Sequence, residues 1–138
     1  MKYVDASAVL RVLFGEPGPT VSLVPEDRVV SSQLIQIEAF RAVDRERLVG
    51  HLDDRQTATK RKELSDLLAM LDLVAIDRHV IDRAKSSFAV NVRALDAIHV
   101  ATAEVLAAEA GEDPLEFWTH DERQASAAAS RGLTVRGL

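Results

Sequence analysis

The sequence predicts an α/β domain: a parallel sheet covered by helices on both faces. Three observations predict it. Short runs rich in β-branched and aromatic residues alternate with longer segments of helical periodicity. The short runs are mostly apolar on both faces, as strands buried between two helical layers are. And the 138 residues, 47% hydrophobic and 28% charged with no cysteine, have the balance of one ordinary globule. A chain of this length buries roughly 65–70% of its unfolded surface, so it needs no disulfide or structural metal to fold. Residues 1–138 are therefore expected to form a single domain.

The elements follow in order. Lys2 to Val4 reads as the first strand, and Asp5 separates it from a helix over 6–14. Gly15-Glu16-Pro17-Gly18-Pro19 ends that helix, and Pro19 suits the first turn of a short helix over 19–24. A strand from Arg28 to Ser31 leads to helices over 33–49 and 55–70. Leu73 to Ile76 forms the next strand, followed by helices over 79–89 and 96–110. From Ala97 to Ala108, nine of twelve residues are Ala, Val, Ile or Leu, so this helix should be buried. Gly111-Glu112-Asp113-Pro114 breaks the chain before a strand from Glu116 to Thr119. A helix over 121–131 and a strand from Leu133 to Val135 complete the pattern. Phe117 and Trp118 are expected in the core, and the Ala-rich last helix is expected to pack closely.

Charge excludes several functions. Seventeen basic against twenty-two acidic residues leave a net charge of −5, which is not the global positive field of a protein that binds nucleic acid by charge alone. Four Phe, one Trp and one Tyr are too few for a base-stacking platform. No run reaches the roughly 20 apolar residues of a membrane span. The opening Met1-Lys2-Tyr3-Val4-Asp5 lacks the apolar character of a signal peptide. We expect a cytoplasmic protein without membrane contact.

Parallel sheets bind ligands at the carboxyl ends of their strands. Asp5 follows the first strand and Asp121 the fourth. Glu38 and Asp96 sit on helices that can reach the same edge. Each acid has a plainer role available. Asp96 can cap its helix by accepting from the amides of Ile98 and His99. Glu38, in a charged stripe with Arg41 and Arg45 set inside an apolar face, can pair locally with Arg41. Asp5 can be a turn residue and Asp121 an N-cap. Together, four acids from distant segments at one sheet edge would repel unless a cation joined them. A hard divalent ion with oxygen ligands, Mg²⁺ or Mn²⁺, fits a chain without cysteine. That points to phosphoryl or phosphodiester chemistry by a metal-activated water.

Four segments resemble the PIN-domain ribonucleases, specifically the VapC-like toxins of bacterial type II toxin–antitoxin pairs. They are Tyr3-Val4-Asp5-Ala6-Ser7-Ala8-Val9-Leu10, Ser32 to Ala42 around Glu38, Leu95-Asp96-Ala97-Ile98-His99-Val100-Ala101-Thr102-Ala103, and Phe117-Trp118-Thr119-His120-Asp121-Glu122-Arg123 with Gly132-Leu133-Thr134-Val135. The resemblance spans essentially the whole chain. It implies a PIN-like three-layer α/β/α fold with a five-stranded parallel sheet of order 3-2-1-4-5. It implies an acidic quartet of Asp5, Glu38, Asp96 and Asp121, which would be both catalytic and metal-holding, with Thr119 supporting the fourth acid. The implied activity is Mg²⁺- or Mn²⁺-dependent cleavage of RNA. The implied partners are a small antitoxin that blocks the pocket and carries the contact with operator DNA, and a second copy of the chain in a homodimer.

Other residues admit two readings. Arg41 and Arg45 either position RNA phosphates, which suits guanidinium forks, or neutralise the acids internally. Ser7 either contacts the metal's water or caps the first helix. His99, three residues after Asp96, either approaches the same ion or is a hydrogen-bonded core residue, the commoner role on an apolar helix. Lys60-Arg61-Lys62 reads as a solvated helix face or, less simply, as part of an RNA path. Competing enzymes fit poorly. A receiver domain needs a late lysine, and none follows Lys85. A haloacid-dehalogenase-type phosphatase needs an acid where Ser7 stands. A dinucleotide-binding module needs glycines after the first strand, where Ala6-Ser7-Ala8 stands. The remaining alternative is a PIN-like scaffold that binds RNA or a partner without cutting.

Overall fold

A computed structural model describes all 138 residues. Five parallel strands form one sheet in the order β3-β2-β1-β4-β5. They are β1 (Lys2–Val4), β2 (Val29–Ser32), β3 (Asp72–Val74), β4 (Glu116–Trp118) and β5 (Thr134–Arg136). The helices are α1 (Ala6–Phe14), α2 (Leu34–Leu48), α3 (Asp54–Leu68), α4 (Arg78–Ala84), α5 (Ala94–Ala110) and α6 (Glu122–Ser130). The expected α/β/α architecture and strand order are both present.

The two faces of the sheet follow from alternation along each strand. Val4 and Val29 point to one face, where they pack with Val9, Ile35, Ala39, Val43, Leu64 and Leu68 of α1, α2 and α3. Tyr3 and Val30 point to the other, where they meet Val100, Ala103, Phe117 and Ala127. The small residues of α5 and α6 let those helices lie close to the sheet. Central β1 is buried, with Tyr3 and Val4 both at 0% exposure. The edge strands are not: Asp72 of β3 and both Thr134 and Arg136 of β5 are exposed. Burial on both faces therefore holds for the central strands only.

Local sequence sets most helix starts. The carboxylates of Asp5, Asp53, Asp77 and Asp121 each accept from amides in the first turn of the helix that follows, satisfying donors that have no intrahelical partner. At the other end of α1, Gly15 adopts φ 62° and its N–H reaches the carbonyls of Arg11 and Val12, a left-handed stop that suits glycine.

Two expected helices differ. Residues 19–24 form no helix. The Pro19 carbonyl, which would bond forward in a helix, instead accepts from the buried Arg11 guanidinium at 2.7 Å. The helix expected over 79–89 ends at Ala84, and the next residues include a Ser86 whose hydroxyl bonds back to the Arg83 carbonyl at 2.6 Å.

Candidate active site

The strand order reverses direction at β1: β2 lies on one side and β4 on the other. Such a switch point leaves a crevice beyond the carboxyl ends of the strands. Asp5 and Thr119 stand there, immediately after β1 and β4, whose register pairs Val4 with Trp118. The Asp5 amide donates to the Trp118 carbonyl at 3.2 Å, so the ladder itself places Asp5 beside the end of β4.

The Asp5 carboxylate is 2% exposed and held on both oxygens. Oδ1 accepts from the Ser7 hydroxyl at 2.7 Å and the Ala8 amide at 2.9 Å. Oδ2 accepts from the Thr119 hydroxyl at 2.5 Å. The Thr119 oxygen in turn accepts from the Asp121 amide at 3.0 Å. Ser7 is thus not the cap of α1, a role Asp5 takes. Its hydroxyl supports Asp5 and accepts from the His120 amide at 2.7 Å. Behind this cluster, Gly137 lies so close that a Cβ there would stand 2.7 Å from the Thr119 carbonyl oxygen.

Asp96 is the least satisfied of the four. Arg93 occupies the cap position of α5 and Asp96 lies inside its first turn, so the capping role open to Asp96 in the sequence is not the one it takes. Its single side-chain partner is Gln124 of α6. With the amide oriented by its neighbours, the Gln124 nitrogen donates to Asp5 Oδ2 at 3.1 Å and Asp96 Oδ1 at 3.2 Å. One nitrogen therefore bridges two of the carboxylates. Asp121 uses Oδ1 to accept from the Arg123 and Gln124 amides at 2.8 and 3.2 Å.

Glu38 does not pair with Arg41. Its Oε1 lies 2.5 Å from His99 Nε2, while Arg41 bonds Asp44 at 3.3 Å on the exposed side of α2. Arg41 and Arg45 both face solvent and neither forms an ion pair with the acids. His99 is fully buried and also reaches the Tyr3 hydroxyl.

The electrostatics agree with this geometry. Burial pushes the Asp5 carboxyl above its ordinary range, against the pull of its Thr119 and Ser7 hydrogen bonds. Burial also pushes Asp96 up, and the negative charges of Asp121 and Glu38 push it further. Like charges from three segments thus meet around Asp96.

No three of these side chains stand close enough to make a ready-made cage. A hydrated Mg²⁺ does not require one, because it is held by one or two carboxylates and keeps several waters. The oxygens gathered here belong to carboxylates and hydroxyls, and burial followed by the charges of Asp121 and Glu38 raises Asp96. This donor set fits a hard divalent cation and not a soft one.

Three contributors escaped the sequence reading. Gln124 lies in an Ala-rich helix that reads as packing alone, and its burial is visible only in the structure. Tyr3 lies in a short strand where nothing in the neighbouring residues marks its hydroxyl. Arg11, 2% exposed, holds the loop before Asp121 by pairing with His120 at 2.5 Å and with the Gly137 carbonyl at 2.7 Å.

The PIN domain family profile matches residues 2–130. The chain belongs to the PIN-domain family. This PIN domain is 34% identical over 136 residues to Ribonuclease VapC46 of Mycobacterium tuberculosis (strain ATCC 25618 / H37Rv), covering 96% of the chain and 94% of that protein. Its fold is shared with two solved structures. PAE2754 from Pyrobaculum aerophilum superposes with a TM-score of 0.60 at 17% identity, over 97% of this chain and 87% of that one. A toxin–antitoxin complex from Klebsiella pneumoniae superposes with a TM-score of 0.57 at 14% identity, over 99% and 96%. No helix of the PIN domain is long and apolar enough to cross a membrane.

Proposed function

We propose that this PIN domain is a metal-dependent endoribonuclease and the toxin of a type II toxin–antitoxin pair. The observation that supports the reading is Asp96, acted on by the charges of Asp121 and Glu38 and linked to Asp5 through Gln124, in a chain that resembles Ribonuclease VapC46 over nearly its full length. In this reading Asp5, Asp96, Glu38 and Asp121 are the catalytic carboxylates that hold Mg²⁺ or Mn²⁺. When bound, such an ion lowers the pKa of water and neutralises charge developing on phosphate.

The chain's own residues supply the rest. Ser7 and Thr119 fix both oxygens of Asp5 and so hold the first acid at a single angle. Thr119 also fixes the Asp121 backbone, which ties the fourth acid to the first. Gln124 spans Asp5 and Asp96 and lessens their repulsion. A carboxylate with one free oxygen, such as Asp121, is placed to take a proton from an attacking water. The fold-sharing toxin–antitoxin complex supports a small antitoxin as partner, with the operator DNA contact lying in that antitoxin. A toxin homodimer, the cytoplasm as compartment and one domain over residues 1–138 belong to the same proposal.

Purified protein freed of antitoxin should cut total RNA when Mn²⁺ or Mg²⁺ is added and not in the presence of a chelator. RNA that is bound but never cut, at any divalent concentration, would instead establish the inactive scaffold.

Arg41 and Arg45 are proposed to grip RNA phosphates along α2. Each phosphate that is no longer neutralised should reduce the slope of log K against log salt by about 0.7 for single-stranded RNA. The Arg41→Ala, Arg45→Ala double variant should therefore show weaker RNA binding and a shallower slope. An unchanged slope removes both residues from the substrate path.

A further inference from the structure

We infer that Tyr3 and His99 form a positioning pair that fixes the Glu38 carboxylate and decides which of its oxygens is presented to the crevice. This deepens the nuclease reading and rests on it. Three elements meet at the pair: Tyr3 in β1, His99 in α5 and Glu38 in α2. Tyr3 and His99 are each 0% exposed. The imidazole bonds at both ends, Nδ1 2.7 Å from the Tyr3 hydroxyl and Nε2 2.5 Å from Glu38 Oε1.

The directions of these bonds are linked. The Tyr3 oxygen accepts from the Ser32 amide at 3.2 Å. A phenol carries one proton, and in the proposed pair it goes to Nδ1 in preference to the Thr102 and Ser31 hydroxyls that also flank Tyr3. With Nδ1 an acceptor, the ring hydrogen lies on Nε2 and is donated to Glu38. In this arrangement a backbone amide of β2 would bias, through two side chains, the tautomer that holds an acid on α2. The Tyr3 ring is held too, stacked on Phe117 at 5.2 Å between centroids and edge-on to His99 at 5.9 Å.

For Glu38 the result is that Oε1 is occupied and Oε2 makes no hydrogen bond within the protein. A flexible side chain held at one oxygen loses less rotamer freedom when the other takes a ligand. Hydrogen bonds of this kind to ligating carboxylates orient them, and losing one typically costs 10–100-fold in metal affinity or activity. A merely structural core histidine makes no such contribution, so the two roles separate in what a metal ion senses.

The test uses Mn²⁺ alone, without RNA, with binding followed by the electron paramagnetic resonance of the free ion. Imidazole nitrogen NMR reads the tautomer. Wild type should carry the His99 hydrogen on Nε2. His99→Leu, apolar and near in volume, should weaken Mn²⁺ about 10–100-fold. His99→Gln, which can still offer an amide hydrogen to Glu38, should stay within a few-fold of wild type. Tyr3→Phe, which removes one oxygen and keeps the ring stack, should release the tautomer and weaken Mn²⁺; it carries the test if His99→Leu does not fold. Gln performing no better than Leu, Tyr3→Phe binding as wild type does, or a hydrogen on Nδ1 overturns the pair. Mn²⁺ affinity that depends on Asp96 but ignores Tyr3 and His99 removes the pair and leaves the nuclease reading standing. Absence of Mn²⁺ binding by wild type removes both.

Discussion

Replacing Asp96 by asparagine is expected to abolish RNA cleavage while leaving the fold intact. Losing a group that only orients a ligand already costs about 10–100-fold, so losing a ligand itself should cost at least a hundredfold. The fold should tolerate the change because Asp96 caps nothing and bonds only Gln124. Asparagine keeps a side-chain oxygen for that bond. The variant should even melt higher without metal. Burial disfavours the charged carboxylate, and Asp121 and Glu38 disfavour it further. Each kcal/mol relieved raises the melting temperature of a chain this long by about 3–5 °C. Cleavage assays and thermal unfolding on the same preparations decide the matter. An active Asp96→Asn protein, or an inactive one that melts far below wild type, contradicts the assignment.

The second large effect is a linkage between pH, metal and stability. Asp5 and Asp96 both have folded-state values raised above the ordinary 3.8. A raised carboxylate contributes stability that is fully present below the unfolded value and is lost as pH rises through the folded one. As pH rises above about 4, chelated protein should therefore lose stability. Asp44, held below its usual range by Arg47, acts in the opposite sense, but it faces solvent and contributes little once salt screens it. A cation bound between the acids removes the penalty. At a hundred times its dissociation constant an ion adds about 2.7 kcal/mol, or roughly 10 °C of melting temperature. Unfolding scans from pH 4.5 to 8, with chelator and with Mn²⁺, measure both parts. A chelated protein that grows steadily more stable with pH, and ignores Mn²⁺, would refute the shared cation site.

Much of this was legible in the amino-acid order because it is local. Asp96 stands out as a carboxylate opening an almost wholly apolar helix, and Glu38 as an acid set into an apolar face. The strand–helix alternation carried the sheet. What stayed hidden lies between segments distant in the chain. Tyr3 and His99, 96 residues apart, meet through polar tips that neither pattern reveals. Thr119 and Asp5 are 114 apart. Gln124 is obscured by its alanines. The helix expected at 19–24 failed for the same reason: Pro19 favours a helix start locally, and the Arg11 guanidinium takes its carbonyl instead.

The support of Asp5 by Thr119 also bears on synthesis. A ribosome delivers Asp5, Glu38 and Asp96 well before Thr119, Asp121 and Gln124. Until β4 emerges and zips onto β1, the nascent polypeptide lacks two of the three side-chain donors to Asp5 and the fourth acid altogether. Synthesis must therefore run past Gln124 before every side-chain support of Asp5 is in place.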